Sequence, residues 1–126
     1  MAQAQYRIVP IDGITRTTVE GTLDFEASAA VLRAVAAENA EAGRHLLVDL
    51  RAAEAPHLDY RDVHRLVAML ADHPDAFRGK VALLDRYRKS FEKAQFFEAA
   101  AEVGGFHARA FLDEAAAVAW LERDAG

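Results

Sequence analysis

The sequence predicts a single α/β domain with about five strands in a mixed sheet and about four helices. Its 126 residues fit one domain of common size, and no linker, internal repeat or low-complexity tract divides residues 1–126. Short apolar runs alternate with segments of helical periodicity along the chain. Because a helix between two strands implies a crossover connection, this alternation favours a parallel or mixed sheet with helices packed against it.

The chain begins with a predicted antiparallel hairpin. YRIVP, residues 6 to 10, reads as a short strand, and ITRTTVEG, residues 14 to 21, is rich in the β-branched side chains that favour strands. Asp12 and Gly13 between them form a tight-turn signal. These features together predict two strands joined by a short turn.

The first helix is predicted to begin after Asp24, whose side chain can cap it. Its apolar residues fall at helical spacing: Phe25, Ala29, Leu32 and Ala36. Gly43 suits the end of this helical segment. HLLVDL, residues 45 to 50, is too short for a helix, and we interpret it as a buried central strand.

A second helix and a second buried strand follow. Asp59 is a candidate cap, and the helix is expected to end near His73 and Pro74. Its apolar stripe contains Val63, Leu66, Val67 and Leu70. KVALLD, residues 80 to 85, then reads as the next buried strand.

The third helix lies within RYRKSFEKAQFFEAAAEVGGF, residues 86 to 106, and its apolar half is expected to face the core. That half contains Ala94, Phe96, Phe97, Ala100, Ala101 and Val103. Gly104 and Gly105 are interpreted as its C-terminal cap, and Phe106 as a further core residue. HARAFLD and EAAAVAWLER then give a last strand and a last helix.

Composition excludes several classes of function. The net charge is −5, which argues against nucleic acid as a partner, since a phosphate-binding surface needs a clustered basic excess. Without cysteine, the chain cannot form thiolate zinc sites, iron–sulfur clusters or disulfides. The N-terminal stretch does not resemble a secretory signal, and no run approaches the length of a membrane span, so we expect a cytoplasmic protein.

No motif of catalysis or of metal binding emerges. His57, Asp59, Asp62 and His64 crowd together, but the histidines lack the i, i+4 spacing of a helical metal pair. Ser28 and Ser90 are the only serines, and neither lies in a G-x-S-x-G elbow. We therefore expect no metal, no cofactor and no enzymatic activity.

Two carboxylates mark a possible ligand crevice. Asp49 and Asp85 are both expected at the carboxyl ends of buried strands, where open α/β sheets bind ligands. Asp49 with Arg51, and Asp85 with Arg86, can equally form local ion pairs or helix caps.

One aromatic ring has no place in the predicted core. Phe91 falls on the polar half of the third helix, in its first turn, close to Tyr87. It can staple the preceding loop onto the helix, or it can form an apolar lip around a ligand crevice or partner surface. The basic residues Arg86, Arg88 and Lys89 beside it are either a solvated loop or an anion contact.

The chain resembles the STAS-like domains, which have the anti-anti-sigma factor fold, and within them the branch related to CRAL-TRIO lipid-binding modules. The residues that carry the resemblance span nearly the whole chain: VEGTLDFEA at 19–27, LLVDLR at 46–51, VALLD at 81–85, FEKAQFFE at 91–98 and AFLDEAAAVAWL at 110–121. The resemblance implies a STAS-like sandwich. Anti-anti-sigma members carry a phosphorylatable serine after the central strand, but VDLRAAEAPHLDYRDV, residues 48 to 63, has neither serine nor threonine.

The expected function is therefore a non-enzymatic binding or regulatory module that recognises a protein partner without the usual phosphoserine switch. The alternative, implied by the lipid-binding relatives, is a small carrier or sensor of an apolar or amphipathic ligand. A carrier needs an apolar cavity of about 300 Å³ or more. A free edge strand also makes a homodimer possible.

Overall fold

Strands and helices alternate along the chain as the sequence predicts. The computed structural model describes residues 4–86 and 88–123, with only the backbone described at 88–90. The strands are β1 (Gln5–Ile11), β2 (Ile14–Thr22), β3 (His45–Glu54), β4 (Lys80–Leu84) and β5 (His107–Phe111), and the helices are α1 (Phe25–Asn39), α2 (Tyr60–Leu70), α3 (Arg88–Val103) and α4 (Glu114–Glu122). The mixed α/β fold is confirmed.

The five strands form one sheet in the order β1-β2-β3-β4-β5. β1 pairs antiparallel with β2, and every later pair is parallel. The hairpin turn uses positive φ angles at Asp12 (50°) and Gly13 (81°), as a two-residue turn with the twist of the flanking strands requires. β1 and β5 are the two edges, and the homodimer expected from a free edge stays a prediction.

The two faces of the sheet are covered unequally. Because side chains alternate along a strand, Leu46 of β3 points into the larger core under α1, α2 and α3, whereas Leu47 points into a smaller core under α4. Ala82 and Leu84 of β4 share that smaller core with Leu121 of α4. No helix among the described residues is long and apolar enough to cross a membrane.

Acidic residues cap three of the helices. The carboxylate of Asp24 accepts the N–H of Ala27 at 2.8 Å, and Asp113 caps α4 in the same way. Asp59 and Asp62 form a reciprocal capping box at the start of α2. These carboxylates therefore serve as caps, and within the described ranges no group of three or more histidines and acids is placed to hold a metal ion.

Two local predictions are wrong. β3 continues to Glu54, so Asp49 lies inside the strand and not at its end; the extension pairs with β2 across a register shift between Thr18 and Glu20. Val103, expected in the core, is 91% exposed, because the buried side of α3 is centred on Ala94 and Ala101 and Val103 projects from the other side of the helix. Phe96, Phe97 and Phe106 do pack against the cores as predicted.

One buried polar side chain connects α1 to three other segments at the edge of the sheet where the parallel strands begin. The amide of Asn39, at the end of α1, is fully buried. It accepts hydrogen bonds from the Thr15 hydroxyl (3.1 Å) and the Arg44 N–H (3.2 Å), and donates to the carbonyls of Arg44 (3.0 Å) and Ala76 (2.6 Å). We call these contacts the Asn39 network; they fix α1, β2 and the loops before β3 and β4 to one another.

Candidate functional site

All four helices begin at one edge of the sheet, because each follows directly on one of the four parallel strands. We call this edge, where those strands end, the carboxyl edge. Open α/β sheets bind ligands in the crevice at this edge. Three apolar side chains mark it: Tyr60 is the first residue of α2, Phe91 lies in the first turn of α3, and Leu112 precedes α4.

A cavity of about 160 Å³ lies between the sheet and helices α1, α2 and α3. Leu46 and Val48 of β3 and Leu83 of β4 line it from the sheet, while Val35 of α1 and Phe97 of α3 line it from the helices. Cores normally pack at the density of organic crystals, with few voids larger than a water molecule. An apolar space of this size inside the main core is therefore a candidate ligand site, although it is smaller than the roughly 300 Å³ expected of a carrier.

The charged residues of the cavity lie at its carboxyl-edge end. Glu54 is the last residue of β3, Asp85 directly follows β4, and Lys93 belongs to α3. Nζ of Lys93 donates to the carbonyl of Ala55 at 2.7 Å, and Oδ1 of the buried Asp85 accepts the Arg86 N–H at 2.8 Å. Because Glu54 is exposed, the cavity reaches the surface at this edge.

The aromatic and basic residues predicted as a binding surface fall partly within the described structure. Phe91 is half-buried and Arg86 is exposed, both at the carboxyl edge. Tyr87 lies outside the described residues. Arg88 and Lys89 form the first residues of α3, and their side chains are outside the description. A binding role for these residues stays a prediction.

The two strand carboxylates do not come together. Asp49 pairs with Leu84 in the parallel register, so both point to the α4 face, and the following residue, Asp85, lines the cavity on the opposite face. The expectation that both carboxylates lie at one ligand crevice is therefore wrong. Asp85 belongs to the cavity, and Asp49 belongs to a separate cluster.

That cluster is a set of ion pairs beneath the start of α4. The buried carboxylate of Asp49 accepts from Nε and Nη2 of Arg51 at 3.0 and 2.8 Å, and from Nη2 of Arg16 at 2.9 Å. Both guanidinium groups also reach Oε1 of Glu114, at 2.7 Å from Arg51 and 3.1 Å from Arg16. These four residues, called the ion cluster below, fasten the first turn of α4 to β2 and β3.

The contacts of the ion cluster shift the pKa values of Asp49 and Arg51. Burial alone raises the pKa of Asp49, but the hydrogen bonds and charge of Arg51, together with the charge of Arg16, outweigh it and hold that pKa below its ordinary value. The hydrogen bond to Asp49 is the main cause that raises the pKa of Arg51. The local ion pair of Asp49 with Arg51, one of the two alternatives predicted for these residues, is confirmed. Because the ion cluster contains two positive and two negative side chains, it has no net charge to attract a ligand.

Aromatic rings at the start of α2 form a second feature of the carboxyl edge. Tyr60 is 48% exposed and its ring meets that of Phe96 edge-on, with centroids 5.1 Å apart. Nearby on α2, the Arg65 guanidinium lies 3.8 Å from the centre of the Phe25 ring. Leu112, 52% exposed, adds an apolar side chain at the same edge. Aromatic residues such as Tyr60 are enriched in protein–protein interfaces.

Sequence reasoning missed several of these residues. Tyr60 carried little signal, because it lies three residues before Val63, at the margin of the apolar stripe of α2, where a half-buried ring is ordinary. Nothing in the sequence indicates that Lys93 lines a cavity, because a lysine in the middle of a helix usually faces solvent. Arg16 and Glu114 are 98 residues apart in the chain, and only the sheet register brings them to Asp49.

Solved structures share this fold. An anti-sigma factor antagonist from Mycobacterium paratuberculosis is 15% identical, with a TM-score of 0.64 and 96% of each chain covered. A protein of the DUF3478 family with a SpoIIAA-like fold, from Shewanella loihica, is 16% identical, with a TM-score of 0.56 and coverage of 96% of this chain and 98% of that one. No protein-family model matches the sequence, and no curated protein gives a significant match. The chain thus has the STAS-like fold of anti-sigma factor antagonists.

Proposed function

We propose that this chain is a non-enzymatic regulatory module that recognises a protein partner through its carboxyl edge. The observation that carries the proposal is the exposed Tyr60, which is supported edge-on by Phe96 and lies at the same edge as Phe91 and Leu112. Because the Phe96 ring already restricts the Tyr60 ring, a partner that binds Tyr60 buries apolar surface while the side chain loses little conformational entropy. We include Arg86, Tyr87, Arg88 and Lys89 in this proposal on the strength of the sequence alone.

The fold supports this proposal by analogy only. A structure with the same fold is an anti-sigma factor antagonist, which by its name acts on a protein. The segment after β3 has no serine or threonine, so a partner is recognised here without phosphorylation at that place. The start of α2 presents Tyr60 in this segment instead.

Truncation of the supported ring should abolish partner recovery. With the tagged protein as bait in cells of its source, we expect Tyr60→Ala to reduce recovery of a specific partner about thirtyfold, since a central aromatic contact contributes about 2 kcal/mol or more. Val103→Ala is the matched control, because Val103 is 91% exposed but lies at the opposite edge of the sheet. Quantitative mass spectrometry of cross-linked complexes measures the effect.

The proposal fails if Tyr60→Ala and Phe91→Ala both recover the same proteins in wild-type yield. Circular dichroism must show that both variants are folded. If Phe91→Ala leaves recovery unchanged but lowers the free energy of unfolding by several kcal/mol, Phe91 is a core residue and only Tyr60 remains in the proposed surface.

The cavity favours a second candidate function, a small carrier or sensor of an apolar or amphipathic ligand. Its 160 Å³ cannot enclose a whole lipid, so the occupant is a small molecule or one segment of a larger one. Native mass spectrometry of the purified protein should show an added mass that disappears on denaturation. Ala94→Leu is the matched control, because it extends a cavity-lining side chain and should remove the added mass. Identical spectra for the two proteins would contradict the carrier function.

A further inference from the structure

A buried hydroxyl that has no hydrogen-bond partner among the described residues borders the apolar cavity. Ser28 lies on the stripe of α1 that lines the cavity, together with Val31, Leu32 and Val35. Its Oγ is buried and has no hydrogen-bond partner in the part of the chain that the structure describes. Nearly all buried hydroxyls in folded proteins are hydrogen-bonded, so an orphan at a cavity wall calls for an explanation. A serine hydroxyl moves between staggered positions about χ1, which lets Oγ turn toward an atom held in the cavity.

The apolar walls of the cavity select against an anion. Two of the three charged residues that line it are carboxylates, Glu54 and Asp85. The third, Lys93, already donates to the carbonyl of Ala55 at 2.7 Å. A carboxylate or phosphate among these apolar walls would lose its hydration, and Lys93 is the only basic side chain among the described residues that line the cavity. A neutral ligand avoids this cost.

The volume limits the ligand to about one ring. An engineered apolar cavity of about 150 Å³ in another protein stays free of water and binds benzene. The cavity described here has a similar volume, about 160 Å³, and similarly apolar walls. It is therefore large enough for a six-membered ring or a short branched chain with one small substituent.

We infer that the cavity binds a small uncharged molecule, an apolar body of about benzene size that carries a hydroxyl group, with Ser28 as its hydrogen-bond partner. The inference rests on the ligand-binding candidate function above and gives that function a ligand class. It places the apolar body between the sheet and α1–α3, where the walls contain almost no polar groups. The hydroxyl of the ligand satisfies the Ser28 hydroxyl, which can both donate and accept.

Three probes with the same ring test the ligand class on the native protein. Toluene has no polar group, benzyl alcohol adds a hydroxyl, and benzoate carries a charge. We expect benzyl alcohol to bind about fivefold to tenfold more tightly than toluene, because one added hydrogen bond increases the affinity by about this factor. Benzoate should bind at least tenfold more weakly than benzyl alcohol. Titrations followed by NMR chemical shifts of the cavity-lining methyl groups give the three dissociation constants.

Two variants then assign the contacts. Ser28→Ala should weaken benzyl alcohol binding about fivefold to tenfold and leave toluene binding unchanged, since only the hydrogen bond is removed. The same variant without ligand should melt no lower than the wild type, because the orphan hydroxyl is gone and alanine favours the helix. Ala94→Leu should weaken the binding of both uncharged probes at least tenfold by filling the cavity.

The outcomes separate the ligand class from the candidate function. If toluene does not bind the native protein, the ligand-binding function itself is refuted. If toluene binds but benzyl alcohol binds no better, or benzoate binds as well as benzyl alcohol, the cavity function stands and the ligand class is wrong. If Ser28→Ala keeps the preference for benzyl alcohol, Ser28 is not the partner. None of these results affects the proposed protein partner, which is tested at Tyr60.

Discussion

Asn39→Ala is expected to lower the free energy of unfolding by about 3 to 5 kcal/mol, because each buried polar group left without its partner costs about 1 to 3 kcal/mol. The amide of Asn39 makes four hydrogen bonds, to Thr15, Arg44 and Ala76. Alanine can replace none of them, and the Thr15 side chain and the Ala76 carbonyl lie beneath the surface. Urea unfolding at pH 7 measures the loss.

Glu38→Ala is the matched control, since Glu38 is the preceding residue of α1 and is exposed. It should change the free energy of unfolding by no more than about 0.5 kcal/mol. Thr15→Val removes a single hydroxyl from the Asn39 network and should cost about 1 kcal/mol. A loss below about 1 kcal/mol for Asn39→Ala would mean that water replaces the amide and that the Asn39 network does not hold the segments together.

Asp49→Ala is expected to lower the free energy of unfolding by about 2 to 3 kcal/mol at pH 7, because it removes hydrogen bonds from charged donors to a buried carboxylate. Arg16 and Arg51 lose that partner, but both remain in contact with water, which limits the cost. Glu114→Ala is the control: its carboxylate belongs to the same ion cluster but is 43% exposed, and it should cost less than about 1 kcal/mol.

The effect of Asp49→Ala should depend on pH in a defined direction. The pKa of Asp49 is lowered in the folded protein, so the folded state binds fewer protons than the unfolded chain in acid. The contribution of Asp49 is therefore complete above the unfolded pKa of about 3.9 and is lost as the pH falls through the lower folded pKa. The difference between wild type and Asp49→Ala should shrink when unfolding is followed from pH 7 to below pH 4. An equal difference at every pH would show that packing and not the charge is responsible.

Most elements of the fold were predictable because their sequence signals are local. Asp24, Asp59 and Asp113 all precede an apolar stripe, and all three accept the hydrogen bonds of a helix cap. HLLVDL and KVALLD read as buried strands, and β3 and β4 lie at the centre of the sheet. The hairpin followed from Asp12 and Gly13, whose backbone angles the turn requires.

Register and burial were not predictable, because they depend on residues that are far apart in the chain. Asp49 and Asp85 are each next to the end of an apolar run, but the pairing of Asp49 with Leu84 sends the two carboxylates to opposite faces. Val103 belongs to the apolar half of α3 on a helical wheel, yet the wheel cannot show that the sheet contacts the side of Ala94 and Ala101, away from Val103. Asn39 continues the α1 stripe as a polar residue, a signal that marks a buried position without naming its partners.

The candidate site was predictable in place but not in form. The carboxyl edge followed from the order of strands and helices, and Phe91 was expected there. The volume of the cavity could not be predicted from the sequence. It depends on the packing of side chains from three helices and the sheet, which leaves part of the space between them unfilled. Ser28 in particular looked like an ordinary helix residue, but its hydroxyl is buried and has no hydrogen-bond partner among the described residues.

The order of the strands also has a consequence for synthesis on the ribosome. Because neighbours in the sheet are neighbours in the chain, each strand that emerges can pair with one that is already in place. Only the face that α4 covers has to wait, since Leu47, Ala82 and Leu84 stay exposed until the last helix has left the ribosome. Exposed apolar surface of this kind attracts chaperones and other nascent chains. The synthesis of α4 therefore ends the exposure of this face of the sheet.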